Sequence, residues 1–333
     1  MKKSRRTFIK QGSQVTLGVG LLGLTACIDE TNSNEKSSSM KNENNTITKD
    51  LFKISLAQWS LHKAFGIRGD KPTLDNLDFA AKAKSMGFEA IEYVNQFFKD
   101  KAEDQAYLKE MNKRAADNGV KNLLIMIDRE GGLAEPDDKE RTTAIENHYK
   151  WVDAAKILGC HSIRVNSFGK GNAEDVKQGA IDGLGRLATY AKPMGINVIV
   201  ENHGGYSSDG KWLADVMSQI NMSNCGTLPD FGNFCIQRDG DNPWEGKCIN
   251  EYDKYQGVKD LMPFAKAVSA KSFDFDADGN ETTIDFTRMM KIVTDAGYNG
   301  YVGIEFEGSS MDAEKGILAT KALLEKVRNE LKG

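Results

Sequence analysis

The stretch VIVENHGG, from Val198 to Gly205, combines two features that rarely occur together. Its first three residues are apolar and β-branched, as in a buried strand. Glu201 and His203 follow at once, and then come two glycines. A carboxylate and an imidazole at the end of a buried strand cost free energy unless they have partners or a chemical task. The stretch therefore predicts a core strand whose carboxyl end belongs to a functional site.

The same pattern recurs along the chain from Lys53 onwards, where apolar runs end in polar residues and are followed by segments with helical spacing. The other seven runs are FKISLAQWS, FEAIEYV, KNLLIMID, HSIRVNS, CGTLPDF, AVSAKSFDF and YVGIEFEG. Several follow a glycine suited to a helix C-cap, as in ILGC and PMGI. Eight strand–helix units predict an α/β fold, a single-domain (β/α)8 TIM barrel over residues 51–333. A doubly wound open sheet is the alternative.

The first 50 residues have a different character. SRRTFIK (Ser4 to Lys10) resembles a twin-arginine export signal, and a short, weakly apolar run and LTAC, a lipobox-like motif, follow it. We expect residues 1–27 to be a signal peptide, with lipidation at Cys27. Residues 28–50 are mostly polar and predict a flexible linker. The protein would thus be exported and anchored to a membrane through its lipid only, at the periplasmic or cell-surface side.

Net charge and cysteine usage limit the partners. The formal net charge of −4 argues against a nucleic-acid partner, which would require a basic surface. Cys160 and Cys225 begin strand-like runs and are expected to be buried thiols. Cys235 and Cys248 flank a loop-like insertion, where an oxidising compartment would permit a disulfide. Trp244, inside that insertion, is a candidate lid residue.

Active sites of such barrels lie at the carboxyl ends of the strands. Side chains two apart on a strand share a face, so Glu201 and His203 would both point inward. Glu201, Asp230 and Glu305, which end three different strands, would then converge on one point. Three adjacent carboxylates repel one another unless some are protonated or a cation lies between them. Oxygen ligands suit hard divalent cations, while pairing with Arg164 or Lys271 is the alternative.

The motifs VENHGG, LPDFGN and GIEFEG resemble those of the xylose isomerase-like TIM-barrel superfamily, the sugar phosphate isomerase/epimerase family, with endonuclease IV as a distant member. In that family an acid on strand five, an acid on strand six, a histidine on strand seven and an acid on strand eight hold one divalent metal. The resemblance implies Glu201, Asp230 and Glu305 as ligands of Mn, Mg, Co or Zn. It covers the chain from about Lys53 to its end.

The resemblance also implies a reaction. Glu201 and Glu305 would act as catalytic base and acid on a sugar, removing and returning a proton next to a carbonyl through an enediolate. Because a phosphate site would require more cationic groups than the strand ends offer, we expect a non-phosphorylated sugar. Lys271 would stabilise the enediolate oxygen or form a salt bridge to Asp274 or Glu305. The expected substrate-binding residues are Trp59, Glu92, Arg164, Asn166, His203 and Asn233. Trp59 and Tyr93 would stack on the sugar or pack in the core.

Strand seven departs from the family pattern, because VSAKSFDF places Ser269 where the histidine ligand would stand. The fourth ligand would then be water, His203 or the substrate. Three functions remain open: a metal-dependent sugar isomerase or epimerase, a lyase or hydrolase acting on 3-keto-glycosides by β-elimination, and a barrel that only binds carbohydrate. Export favours the lyase or hydrolase, and the serine at position 269 supports the barrel that only binds carbohydrate. The sequence does not determine the oligomeric state.

Overall fold

The computed structural model describes residues 50–67, 71–240 and 245–333. These residues belong to one compact unit. None of the helices in this part of the chain is both long enough and apolar enough to cross a bilayer. The predicted signal peptide, Cys27 and Trp244 lie outside the described residues, as does the predicted linker except for Asp50.

Eight parallel strands form a curled sheet, and two further strands form a separate hairpin. The ten strands are β1 (Lys53–Ala57), β2 (Ala90–Val94), β3 (Lys121–Met126), β4 (Ser162–Val165), β5 (Asn197–Glu201), β6 (Cys225–Leu228), β7 (Cys235–Arg238), β8 (Cys248–Glu251), β9 (Val268–Ser272) and β10 (Tyr301–Phe306). The order in the sheet is β6-β5-β4-β3-β2-β1-β10-β9. Each neighbour in this order is parallel, as repeated strand–helix units require.

The sheet closes between its first and last strands. Asp230, just after β6, forms a parallel bridge with Ser269 of β9. The amide of Ser269 donates to the carbonyl of Pro229 at 2.9 Å, and the amide of Phe231 donates to the carbonyl of Ser269 at 3.1 Å. The sheet is therefore a barrel, and the predicted TIM-barrel fold is confirmed.

Eight α-helices surround the strands within residues 50–67, 71–240 and 245–333. They are α1 (Phe79–Ser85), α2 (Gln105–Asp117), α3 (Asp138–Leu158), α4 (Ala173–Ala191), α5 (Gly210–Ile220), α6 (Lys254–Leu261), α7 (Phe286–Asp295) and α8 (Ala313–Glu330). Asp137 caps α3 by accepting from the amide of Glu140, and Gly159 ends it with a φ of 69°. Glycine adopts this left-handed conformation without steric cost and turns the chain back towards the sheet.

Strand alternation divides the core into two layers. Val198 and Val200 of β5 pack outward with the helices, in the larger apolar cluster. Ile199 packs inward with Leu124, Met126 and other residues of a smaller cluster inside the barrel. Because inward positions recur every second residue, the residue two beyond Ile199 also faces the barrel interior. That residue is Glu201.

The hairpin interrupts the repeat between β6 and α6. β7 and β8 are antiparallel, and a disulfide joins Cys235 to Cys248. This is the pairing that an oxidising compartment would permit. Cys160 and Cys225 are free, buried thiols, as expected.

Candidate active site

Three acidic side chains meet inside the carboxyl end of the barrel. Glu201, Asp230 and Glu305 each offer a carboxylate oxygen, and these oxygens lie within 4.8 Å of one another. All three residues are buried, with 0%, 0% and 3% of their surfaces exposed. One oxygen of Glu201 and one of Glu305 are buried without a hydrogen bond. Such a cluster is costly unless protons or cations balance its charge.

Asp230 is held by its neighbours in one orientation. Its Oδ1 accepts hydrogen bonds from the amides of Gly232 (2.9 Å) and Asn233 (3.0 Å). Its Oδ2 accepts a bond of 2.6 Å from the hydroxyl of Ser269. Ser269, the residue that departs from the family pattern, therefore orients an acid of the cluster.

Two buried cations lie against the same cluster. Arg164 Nε lies 2.7 Å from Glu201 Oε2. The two groups form an ion pair, but the N–H does not point at the oxygen well enough to form a hydrogen bond. The Nζ of Lys271 donates to Glu305 Oε1 at 2.5 Å and to Glu307 Oε2 at 3.2 Å. Lys271 and Glu305 are direct partners in the β9–β10 register. Of the two salt bridges considered for Lys271, the one to Glu305 forms, whereas Asp274 accepts from Ser310.

Burial controls the protonation of the cluster. It raises the pKa values of Glu201 and Asp230 above the usual carboxyl range, although Arg164 and Lys271 oppose the shifts. Burial alone would lower the pKa of Lys271, but Glu305 and Glu307 outweigh it and raise this pKa. Lys271 therefore stays charged, while protons compete for Glu201 and Asp230.

A hydrogen-bonded chain leads from Asp128 to His203. Asn166 Nδ2 donates to Asp128 Oδ1 at 2.8 Å, so its carbonyl oxygen faces His203 Nδ1, also at 2.8 Å. Because that oxygen can only accept, Nδ1 carries the proton and Nε2 is the acceptor nitrogen. Burial also lowers the pKa of His203 to about 4, which leaves the ring neutral at pH 7.

Above the cluster lies a cavity of about 690 Å³, within the usual range for small-molecule sites. Five of the expected site residues line it, together with Glu305: Trp59, Arg164, Asn166, His203 and Asn233. Trp59 donates its indole N–H to Glu307 and stacks at 5.0 Å on the ring of His62. Glu201, Asp230 and Lys271 lie beneath the cavity, where Asn233 Nδ2 reaches Glu201 Oε1 at 2.9 Å.

One expected substrate-binding residue lies elsewhere, and the alternative left open for Tyr93 is resolved in favour of core packing. Glu92 does not line the cavity; it is 1% exposed inside the barrel, where the hydroxyl of Ser55 donates to its Oε1 at 2.7 Å. It points inward because it lies on the inner face of β2, two positions before Val94, whose side chain packs inside the barrel. Tyr93 is 2% exposed and belongs to the core outside the sheet. His203 also falls outside the group of acids that could hold a metal, which favours water or substrate as a fourth ligand.

Sequence reasoning did not select several residues around the cavity. Asp128 and Glu307 come just after β3 and β10, at the carboxyl end of the barrel where active sites lie, but their residue types alone assign them no role. Arg129 and Phe168 follow β3 and β4 in loops where no residue pattern marks a site. Arg238 and Glu245 reach the cavity from the hairpin segment, which only the folded chain brings there.

The donor set fits a hard divalent cation. The three acids supply carboxylate oxygens only, and two of these oxygens have no hydrogen-bond donor. Arg164 and Lys271 supply two positive charges against Glu201, Asp230, Glu305 and Glu307, so the group keeps a negative surplus when its acids are ionised. Carboxylate and water oxygens are the preferred ligands of Mg²⁺ and Mn²⁺.

Comparison with solved structures shows the same fold in two sugar epimerases and in a zinc-bound protein. The E. coli 3-keto-D-glucoside 4-epimerase YcjR superposes with a TM-score of 0.63 at 15% identity, over 83% of this chain and 99% of that one. A D-psicose 3-epimerase from Clostridium cellulolyticum H10 superposes with a TM-score of 0.62 at 14% identity, over 84% of this chain and 99% of that one. The zinc-bound IolI protein superposes with a TM-score of 0.63 at 16% identity, over 84% of this chain and 99% of that one.

One curated relative matches over a short segment. The alpha subunit of the C-glycoside deglycosidase of Arthrobacter globiformis is 41% identical over 49 residues, which is 15% of this chain and 14% of that protein. The match therefore covers only a small part of the relative's length. Residues 80–327 match the model of the xylose isomerase-like TIM barrel family, and the chain belongs to that family.

Proposed function

We propose that the protein is a sugar isomerase or epimerase that removes a proton next to a carbonyl, with the help of one divalent cation. The observation that carries this proposal is the buried group of Glu201, Asp230 and Glu305 beneath an open cavity. The sugar epimerases of the same fold support a carbohydrate substrate. A bound cation, of Mn, Mg, Co or Zn, would polarise the carbonyl and so acidify the neighbouring C–H.

Glu201 and Glu305 are suited to be the proton acceptor and donor. Glu305 Oε2 has no hydrogen bond, Glu201 Oε2 is held only by its ion pair with Arg164, and the two residues come from different strands, β5 and β10. One takes the proton from carbon, and the other returns a proton to the opposite face of the planar enediolate. Both acids are almost fully buried, so their proton exchange takes place away from bulk water.

Lys271 is suited to stabilise the negative charge that develops on the substrate oxygen. It is 1% exposed, and Glu305 and Glu307 hold it in place, so little reorganisation is needed during the reaction. Neutral His203 and the amide of Asn233 provide an acceptor and a donor for sugar hydroxyls. The rim is not strongly cationic, because Asp128, Glu245 and Glu307 accompany its arginines, and this favours a non-phosphorylated sugar.

A second candidate is β-elimination on a 3-keto-glycoside. The same base removes the proton at C2, the C1–O bond breaks with its electron pair, and the leaving alkoxide takes up a proton. The products are an enone sugar and a free alcohol, and water adds to the enone if the reaction is a hydrolysis. The short match to a C-glycoside deglycosidase supports this alternative, and so does a cavity larger than one sugar ring.

One experiment separates the candidates. We would incubate the Mn²⁺-loaded protein in D₂O with ketohexoses and with 3-keto-disaccharides, and follow both by NMR. An epimerase introduces deuterium next to the carbonyl and keeps the disaccharide intact, whereas a lyase also releases the second sugar. Glu305→Gln should lower either rate by at least about 100-fold, and exposed Glu89→Gln should not. No exchange with any of these sugars would contradict both enzymes and leave a carbohydrate-binding barrel.

We further propose that the protein is an exported lipoprotein attached through Cys27. The twin-arginine-type leader and LTAC motif support this proposal. The Cys235–Cys248 disulfide is consistent with an oxidising compartment outside the cytoplasm.

A further inference from the structure

A second, smaller cavity lies beside the central one. Its volume is about 270 Å³, and it shares Arg129, Asn166 and Phe168 with the central cavity. The remainder of its wall includes Ile127, Gly131 and His148. We name it the side cavity. Ile127, Gly131 and His148 take no part in the proposed proton transfers.

The loop after β3 builds the side cavity with an unusual backbone. Arg129 has a φ of 62° and Gly131 a φ of 100°. The left-handed region is unfavourable for arginine, and such backbone strain concentrates at functional sites. The neighbouring Glu130 holds the loop on α3, since it accepts from Trp151 Nε1 at 2.7 Å and from Lys150 Nζ at 3.1 Å. The loop is thus pinned in a strained shape.

That shape places an unpaired cation between the two cavities. Arg129 is exposed and forms no hydrogen bond or ion pair with any residue in the described ranges. Its neighbours in the wall include the apolar side chains of Ile127 and Phe168. A guanidinium next to apolar walls suits an aromatic ring, because arginine stacks on aromatic faces.

His148 adds a hydrogen-bond acceptor to this wall. It is 2% exposed, and its Nδ1 lies 2.7 Å from the carbonyl oxygen of Ala144. Since a carbonyl only accepts, Nδ1 carries the proton and Nε2 is an acceptor. Burial lowers the pKa of His148, which agrees with a neutral ring. Nε2 has no hydrogen-bond partner among the residues that the structure describes.

We propose that the side cavity binds the phenolic ring of a glycoside whose sugar occupies the central cavity. Ile127 and Phe168 contact the ring, Arg129 lies against its face, and His148 Nε2 accepts from its hydroxyl. This inference rests on the proposed sugar site and names its substrate class as aryl glycosides.

The test compares four probes on the full-length protein by calorimetry: the methyl, phenyl, 3-hydroxyphenyl and 4-hydroxyphenyl β-D-glucosides. Phenyl glucoside should bind roughly tenfold or more tightly than methyl glucoside, because it buries an apolar ring. One hydroxyphenyl isomer should bind more tightly still. Equal affinities for the methyl and phenyl compounds, or no binding of the phenyl compound, would overturn the proposal.

Three variants locate the effect. Ile127→Phe fills the side cavity and should remove the preference for phenyl over methyl glucoside. His148→Leu should remove only the added preference for the hydroxyl group.

Arg129→Asn introduces a residue that tolerates the left-handed backbone, and it should reduce the preference for the phenyl compound. The control is Arg288→Asn on α7, the same change at an exposed distant site, which should leave that preference unchanged. A phenyl preference that persists in both Ile127→Phe and Arg129→Asn would place the ring elsewhere and refute the proposal. Melting temperatures identify any variant that fails to fold.

The outcome is distinguishable from that of the proposed reaction. Deuterium exchange with 3-keto sugars tests the acids beneath the central cavity, whereas the affinity ratio of phenyl to methyl glucoside tests the side cavity. Exchange without a phenyl preference refutes the side cavity alone. A phenyl preference without exchange refutes the reaction alone.

Discussion

Ser269 has a structural task that its position in the family pattern does not suggest. Its hydroxyl donates to Asp230 inside the barrel, and both residues are almost fully buried. Ser269→Ala would leave a buried carboxylate oxygen without its donor. We expect the free energy of unfolding to fall by about 1–3 kcal/mol, the usual cost of leaving a buried hydrogen-bonding group without its partner. Urea denaturation at pH 8 measures this, and an unchanged midpoint would show that the bond is replaceable.

Glu92 makes stability depend on pH. Burial raises its pKa to about 7 from an unfolded value near 4.5. The folded state therefore binds more protons than the unfolded state between these values, and stability falls as pH rises from about 4.5 through 7. The shift corresponds to on the order of 3 kcal/mol. Glu92→Gln should remove this loss.

The measurement is urea denaturation of wild type and Glu92→Gln at pH 5 and pH 8. The variant should gain stability relative to wild type at pH 8 and less at pH 5. Exposed Glu89→Gln serves as the control on the preceding turn. An equal difference at both pH values would mean that Glu92 is not the titrating group.

At the residue scale, the sequence predicts most of the cluster but not its contacts. Glu201, Asp230, Glu305 and Lys271 end apolar runs, so local pattern is enough to bring them to one rim. The pairing of Arg164 with Glu201, and of Ser269 with Asp230, depends on which strands become neighbours when the barrel closes. The strained backbone of Arg129 has no sequence signal, because nothing in its residue type favours a positive φ.

The hairpin of β7 and β8 is the element that sequence pattern describes least well. Its strands are short and largely polar, so it is easily taken for a loop. Cys235 and Arg238 nevertheless line the central cavity, which makes the hairpin part of the site's wall. The disulfide closes a loop with a sequence separation of 13.

Loss of that disulfide should loosen the hairpin without unfolding the barrel. We expect Cys235→Ser with Cys248→Ser to lower stability by up to about 3 kcal/mol, the loop-entropy value for this length. The far-UV circular dichroism spectrum should stay that of the wild type, with a lower melting temperature. A melting temperature equal to that of the oxidised wild type would contradict the stabilising role. Reduced wild type is the matched comparison.

At the scale of the whole molecule, repetition makes the fold predictable. Eight strand–helix units in the residues after 50 leave few arrangements, and strand alternation then determines which side chains face inward. Closure is harder to predict, since it depends on the bridge between Asp230 and Ser269, residues far apart in the sequence. The same closure brings acids from β5, β10 and the end of β6 together.

Attachment to a membrane is a prediction about the whole chain. If Cys27 is lipidated, the full-length protein should fractionate with membranes, and mass spectrometry should find lipid on the residue at its mature N-terminus. Cys27→Ser should lose most of its membrane association, because the variant has no thiol to which lipid could be attached. Equal membrane association of the variant would exclude lipid as the anchor.

The central claim is that Glu201, Asp230 and Glu305 together bind one divalent cation, and calorimetric titration with Mn²⁺ after removal of metal by a chelator tests it most directly. We expect about one equivalent per chain, with tighter binding at pH 8 than at pH 6, because the raised pKa values of Glu201 and Asp230 let protons compete at the lower pH. Glu201→Ala and Glu305→Ala should abolish binding, and exposed Glu89→Ala should leave it unchanged. Absence of stoichiometric binding in the wild type, or its persistence in both cluster variants, would contradict the claim.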